Sequence, residues 1–277
     1  MLNVFLPCRV VLIYEYVNPH LLINMHRTIL ITGATSGIGK ACAIRFAEQN
    51  DRLIITGRRN ERLLELAGEL RTKFDAEVLS LNFDIRQRKA VEAAVQGLPS
   101  EWKQVDILVN NAGLASGLAL LQDGDMDDWE KMIDTNIKGL LYMTRMIAPA
   151  MIAAGKGHIV NIGSIAGKEV YARGNVYCAT KFAVDALTKG MRIDMLAHGI
   201  KVSQVCPGAA ETEFSEVRLK GDKKAATEVY KGYTPLSAGD IAEAVIWVTG
   251  LPAHVNVNDL VIMPTAQAGT AYFNRNS

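Results

Sequence analysis

Tyr177 and Lys181 lie four residues apart in the stretch NVYCATKFA, which runs from Asn175 to Ala183. On a helix that spacing is about one turn, so the phenol and the ammonium share a face. Of the eight tyrosines, only Tyr177 has a lysine four positions on. A free phenol has a pKa of about 10, too high for a base near neutrality. A cation about 4 Å away, at an effective dielectric of about 20, favours the phenolate by about 4 kcal/mol. At about 1.36 kcal/mol per unit, that lowers the pKa by up to about three units. The chemistry expected of such a pair is proton transfer at an alcohol oxygen while a hydride leaves the carbon. One pair of this kind also arises by chance, so its surroundings decide.

A second group of residues suits a nucleotide. The stretch ITGATSGIGKACA carries Gly33, Gly37 and Gly39, with Ser36 and Ile38 between them. Glycines let a backbone turn tightly and approach a pyrophosphate, and a following helix offers free N–H groups and a partial positive charge. A plain strand-to-helix turn needs about one glycine; three favour phosphate binding. About 20 residues further on, a NAD site places an acid that holds the ribose 2′-hydroxyl. Here Gly57 stands in that place and Arg58 and Arg59 follow. A carboxylate repels a 2′-phosphate, whereas guanidinium groups grip it. The pair also reads as a solvated basic turn, but without the acid NADP is the expected cofactor.

These groups need a scaffold. From Arg27 onward short apolar runs alternate with amphipathic stretches. Strands are expected at 27–32, 52–56, 77–84, 105–113, 158–164, 201–208 and 259–263. Helices are expected at 37–50, 61–74, 87–96, 127–153, 175–197 and from Ser237 through Thr249. Ser237 with Asp240 three on is a capping box. Such alternation with apolar strands predicts an α/β fold, a doubly wound parallel sheet of about seven strands with helices on both faces. No linker, repeat or low-complexity break interrupts it, so residues 25–277 read as one domain.

The composition is that of a globular protein with a large core: 277 residues, 49% apolar. With 30 basic and 29 acidic residues the net charge is +1, which gives no footprint for nucleic acid or an acidic membrane surface. Cys8, Cys42, Cys178 and Cys206 are scattered without metal-ligand spacing and read as small buried thiols in a reducing compartment, the cytoplasm. Residues 1–24 are apolar but broken by Arg9, Glu15 and Asn18, too short in any clean run to span a bilayer and unlike a signal peptide. They read either as an N-terminal arm or as a dispensable extension upstream of a working start at Met25. Met143, Met146 and Met151 read as core or subunit contact, His158 as a surface or interface residue, Trp102 and Trp247 as packing.

The glycine pattern, NNAG (110–113), NIGS (161–164), YCATK (177–181) and PG (207–208) stand in the order and spacing of the short-chain dehydrogenase/reductase family. The chain resembles that family from Arg27 to the C-terminal region. Its stretches TGRRNERL, LPSEWKQVDILVNNAGLA, MIDTNIKGLLYMTR and LPAHVNVNDLVIMP are similar to the NADP-dependent 3-hydroxy acid dehydrogenases. That group is associated with serine and L-allo-threonine oxidation and malonic semialdehyde reduction. The resemblance implies a catalytic tetrad of Asn136, Ser164, Tyr177 and Lys181. It implies adenine contacts from Asp84 and Ile85, an adenosine-side contact from Asn111, and a nicotinamide and phosphate clamp from Pro207 and Gly208 through Thr212. Lys181 would also hold the nicotinamide ribose, and Asn136 would position the Lys181 side through backbone and water. Ser164 suits a hydrogen bond to the reacting oxygen. The helices around Leu140 and Ala183 resemble the family's dimer faces, implying a homotetramer. Two other functions share these motifs: reduction of a 3-oxoacyl group, and NADP binding by a catalytically silent regulator.

After Thr212 comes a polar connection, EFSEVRLKGDKKAATEVYKGYTP, where this family carries a mobile lid; it is expected over about 209–236. Arg218, Lys220, Lys223 and Lys224 lie on it, the lysines reading equally well as solvated. A substrate with a carboxylate two carbons from its alcohol needs a cation on the lid side, since Tyr177 and Ser164 hold the alcohol. Arg218 is the expected partner, by bidentate pairing.

Overall fold

The computed structural model describes residues 26–276, so the reading of residues 1–24 as dispensable lies outside the described residues. Seven strands form one sheet: β1 (Thr28–Ile31), β2 (Arg52–Gly57), β3 (Val78–Asn82), β4 (Ile107–Asn110), β5 (His158–Ile162), β6 (Lys201–Pro207) and β9 (Asp259–Ile262). Their order is β3-β2-β1-β4-β5-β6-β9, and every pair is parallel. The order reverses between β1 and β4, the switch point where open α/β sheets bind ligands at the carboxyl ends of their strands.

Strand residues alternate between two cores, as a period of two requires. Ile29, Ile31, Leu53 and Ile55 face α1 (Gly37–Ala47), α2 (Asn60–Phe74) and α9 (Ala238–Gly250), meeting Phe46, Leu66 and Val245. Leu30, Ile54, Leu108 and Ile159 face the opposite layer and meet Val91, Met143, Met151 and Val184. That layer contains α3 (Arg88–Gln96), α5 (Leu140–Ala154) and α6 (Asn175–Asp194). Each fully buried Leu or Ile contributes roughly 1.5–3 kcal/mol of transfer free energy.

The structure amends several sequence expectations. The helix expected over 127–153 is three segments: α4 (Met126–Ile133), a π-helical turn over Asp134–Gly139, and α5. By length and composition Met126–Ala154 suits a bilayer span, but Met143, Ile147 and Met151 pack into the core. His158 is buried, not at the surface: its Nε2 meets Ser203 Oγ at 2.8 Å. Burial, then the nearby Lys201 and Arg27 charges, push its pKa down to about 3. It lies on a strand flanked on both sides, which the sequence position beside a loop concealed. Trp247 does not pack inside; it is 54% exposed on α9. Trp102 does pack, with the Arg52 guanidinium 4.2 Å over its ring. Cys42, Cys178 and Cys206 are buried free thiols.

The lid connection is folded. It opens with β7 (Ala210–Glu211), continues through α7 (Glu213–Arg218) and α8 (Lys223–Glu228), and ends at β8 (Leu236–Ser237). β7 and β8 pair in parallel, so the two ends of the lid are clasped together. Ser237 and Asp240 then form the expected capping box of α9.

Candidate active site

A cleft of about 680 Å³ opens at the carboxyl ends of the strands. Gly33, Ser36, Gly37, Ile38, Arg58, Arg59, Asp84, Ile85, Asn111, Ser164, Tyr177, Lys181, Pro207, Gly208, Thr212 and Arg218 all line it. Gly39 and Asn136 stand behind its wall.

The loop between β1 and α1 has the shape a phosphate cradle needs. Gly33 and Gly37 adopt φ of +67° and +53°, where a side chain is strained. A Cβ on Gly39 would lie 2.4 Å from both Asn111 Nδ2 and Gly33 O, so only glycine lets α1 come this close. Asn111 Nδ2 donates to Thr32 O (2.8 Å) and Gly33 O (3.1 Å), tying the loop to the end of β4. Ser36 makes no side-chain cap bond on α1; its hydroxyl accepts from Arg59 Nη2 at 2.7 Å instead. The first N–H groups of α1 therefore stay open toward the cleft.

At the end of β2 Gly57 packs closely on Thr35. A Cβ at Gly57 would sit 2.5 Å from Thr35 Cγ2. Arg59 reaches Thr35 Oγ1 with Nε and Nη2 (3.3 and 3.1 Å), and Arg58 Nη1 lies 3.8 Å from Asp84 Oδ2. Asp84 is itself held by Arg86 (Nη2–Oδ2 2.6 Å). Two guanidinium groups thus line the cleft beyond the end of β2, and their chemistry fits the 2′-phosphate of NADP.

Tyr177 and Lys181 occupy one face of α6, 8% and 7% exposed. Their coupling differs from the sequence expectation. Lys181 Nζ donates to Ile162 O at 2.9 Å. Burial pushes Lys181 down to about 8. Burial, with Tyr171 alongside, pushes the Tyr177 phenol well above its usual range, opposed by the Ser164 hydroxyl and the Arg218 charge. The Arg218 guanidinium stands over the phenol ring, 5.6 Å from its centroid. The sequence expectation counted Coulomb attraction and left out the desolvation of both groups.

Ser164 accepts from Ala166 N at 3.0 Å, which fixes its side chain at the cleft. Asn136 lies in the π-helical turn, 2% exposed. Its Oδ1 accepts from Leu114 N (2.8 Å), and its Nδ2 donates to Leu114 O (2.8 Å) and Thr180 Oγ1 (3.0 Å). It joins the segment after β4 to α6, so it is a positioning residue whose side chain does not reach the cleft. π-helical turns inside α-helices occur often at functional sites.

Arg218, at the end of α7, is sandwiched over Tyr171 (5.1 Å) and Tyr177. Its Nε and Nη2 are buried and, among the described residues, have no hydrogen-bond partner. A buried guanidinium edge with free donors matches one incoming anion.

Sequence reasoning missed Tyr171, Phe214, Tyr230 and the C-terminal tail. Tyr230 OH donates to Ala210 O (2.9 Å) and shares a 2.6 Å hydrogen bond with Ser215 Oγ, bracing the lid from inside. Gln267 Oε1 accepts from Ala209 N at 2.8 Å, and Arg275 Nη1 donates to Lys231 O at 2.6 Å. The one available signal was the cluster of aromatic and basic residues in TAYFNRN, past the last strand.

The family model for short chain dehydrogenases matches residues 27–223. The chain belongs to the short-chain dehydrogenase family. This short-chain dehydrogenase is 47% identical over 241 residues to the NADP-dependent 3-hydroxy acid dehydrogenase YdfG of Salmonella typhi, covering 87% of this chain and 96% of the relative. It is 48% identical over 249 residues to sulfoacetaldehyde reductase 2 of Chromohalobacter salexigens, covering 90% and 98%. Among solved structures, the closed form of serine dehydrogenase complexed with NADP+ is similar at a TM-score of 0.84 and 46% identity, covering 90% of this chain and 99% of that one.

Proposed function

We propose that this short-chain dehydrogenase transfers a hydride between NADP(H) and a small 3-hydroxy acid or its semialdehyde. The observation that carries the substrate class is Arg218, whose buried Nε and Nη2 have no partner among the described residues and lie beside Tyr177. The 3-hydroxy acid dehydrogenase and sulfoacetaldehyde reductase relatives are named for substrates that pair an alcohol or aldehyde with an anionic group.

When bound, NADP(H) supplies or accepts the hydride. Arg59 and Arg58 hold its 2′-phosphate, and the open N-terminus of α1 takes its pyrophosphate. Lys181, buried beside Ile162 O, lies within the cleft to hold the nicotinamide ribose. Ser164 hydrogen-bonds the substrate oxygen that gains or loses charge. Tyr177 moves the proton at that oxygen. Burial keeps its phenol protonated, the form that donates to a carbonyl during reduction. Arg218 grips the substrate's anionic group.

Arg218→Ala tests the substrate class. Charge-assisted hydrogen bonds contribute about 1.5–3 kcal/mol each, so KM for serine or 3-hydroxypropionate-type acids should rise about ten- to a hundredfold. Uncharged alcohols should be nearly unaffected. Equal loss on both substrate types would assign Arg218 to lid folding alone.

We also place the enzyme in the cytoplasm as a homotetramer. The buried free thiols support the first. For the second, Leu141 and Phe182 leave apolar surface on α5 and α6, and Trp247 and Val261 on α9 and β9. Light scattering on the eluting protein measures the assembly; a monomer would overturn it.

A further inference from the structure

One carboxylate in the cleft already occupies a guanidinium assigned to the cofactor. Glu213 opens α7, and its Oε2 accepts from Arg59 Nη1 at 2.8 Å while its Oε1 accepts from Arg62 Nη1 at 2.5 Å. The other nitrogens of Arg59 reach Thr35 and Ser36, so Glu213 supplies its negative partner. Partial burial pushes the Glu213 carboxyl up, but the two arginines outweigh that and hold it below its usual range. It is an anion throughout the neutral range.

A 2′-phosphate and Glu213 therefore seek the same cation. Both carry negative charge, and they cannot both take the Nη1 edge of Arg59. Arg62 gives the carboxylate a second place to stay, since it already holds the other oxygen. The exchange need not cast Glu213 into solvent: Arg59 turns to the phosphate and Arg62 retains the carboxylate.

We propose that Glu213 is an internal counter-ion which the adenosine 2′-phosphate displaces from Arg59, making Glu213 a determinant of the choice between NADP and NAD. The inference rests on the assignment of Arg59 to the 2′-phosphate. Without a 2′-phosphate the Arg59–Glu213 pair stays intact, and a NAD-type ligand gains nothing from either residue. With one, part of the phosphate's binding energy goes into breaking that pair. The wild-type preference for NADP is then smaller than the arginines alone would give.

Two probes that differ only in the 2′-phosphate isolate this effect: adenosine 2′,5′-bisphosphate and 5′-AMP, titrated by calorimetry. Glu213→Gln should bind the bisphosphate about fivefold more tightly, the size expected for losing one partly exposed pair. Its affinity for 5′-AMP should not change. Glu213→Ala should behave in the same direction. In an Arg59→Ala background, Glu213→Gln should change nothing, because the shared cation is gone. Unchanged bisphosphate binding in both Glu213 variants would overturn the proposal. So would an equal gain for 5′-AMP, or a gain that persists without Arg59, since either makes Glu213 a general repulsive charge. A separate result, Arg59→Ala leaving the ratio of the two affinities intact, would instead remove the 2′-phosphate assignment itself.

Discussion

Burial displaces Tyr177 and Lys181 in opposite directions, and both displacements favour the neutral form. Tyr177→Phe keeps the ring and its contact with Phe214, centroids 5.5 Å apart, while removing the proton. It should cut kcat by two to four decades, roughly the range of general acid–base catalysis, with NADPH binding retained in a fluorescence titration. Near-normal turnover would remove Tyr177 from the chemistry. Lys181 makes a second, thermodynamic prediction. Unfolded lysine keeps its proton to about pH 10.4, whereas the folded chain releases it near 8. Between those values the unfolded state binds more protons, so this residue makes stability rise with pH. Subtracting the denaturation profile of Lys181→Met from wild type should reveal that rise from about pH 8 to 10, up to about 3 kcal/mol in total. A flat difference would mean that Lys181 is solvated and ordinary. Residue identity and spacing made the pair legible in the sequence. The sign of the Tyr177 shift was not, because desolvation depends on packing by residues such as Phe214 that arrive from a distant part of the chain.

At the scale of elements, the π-helical turn over Asp134–Gly139 matters most to the site. It lets Asn136 reach both backbone groups of Leu114 and the Thr180 hydroxyl. Asn136→Ala would leave buried donors and acceptors unpaired, at about 1–3 kcal/mol for each group. The variant should melt several degrees lower by calorimetry, about 2–4 °C per kcal/mol for a domain of this size. Activity should fall in proportion as α6 loosens. Loss of activity without a lower melting point would point to direct contact with the reacting groups instead. The helix itself was legible from its apolar period, but the change of pitch inside it was not. Residues 134–139 contain no proline, and their one glycine, Gly139, ends the turn, so no residue type marks the change; a Cβ at Gly139 would lie 3.0 Å from Ile85, a close approach made by a residue far away in sequence. The lid was legible as a polar connection of unusual length. Its helices were not, because α7 and α8 are six residues each and too short to show a period.

For the whole molecule, the sheet and its layers followed from alternating apolar strands and amphipathic helices, since a parallel sheet must bury both faces. Strand order was not legible, because each strand's neighbours come from distant parts of the chain. Trp247 and His158 were misplaced because a large or polar side chain says little about which side of an element faces inward. The first described strand is firmly paired: β1 pairs with β2 and β4, and Arg27 is tied to Asp51 (Nη2–Oδ2 2.6 Å). Deleting residues 1–24 should leave the melting temperature and the affinity for NADPH unchanged. An insoluble product or a weaker cofactor complex would show that the extension contributes to the fold.

The clasp between β7 and β8 has a consequence for how such enzymes diverge. Ala210 pairs with Leu236 and Glu211 with Ser237, so the ends of the lid are brought together by their own ladder, to which Tyr230 adds one bond at Ala210 O. For a flexible loop closed at its base, each doubling of length adds only about 0.6 kcal/mol of entropic cost. The chain between the clasped ends can therefore gain or lose residues, and exchange one recognition side chain for another, without transmitting strain to β6 or α9. Substrate choice and sheet integrity are then free to evolve on separate clocks.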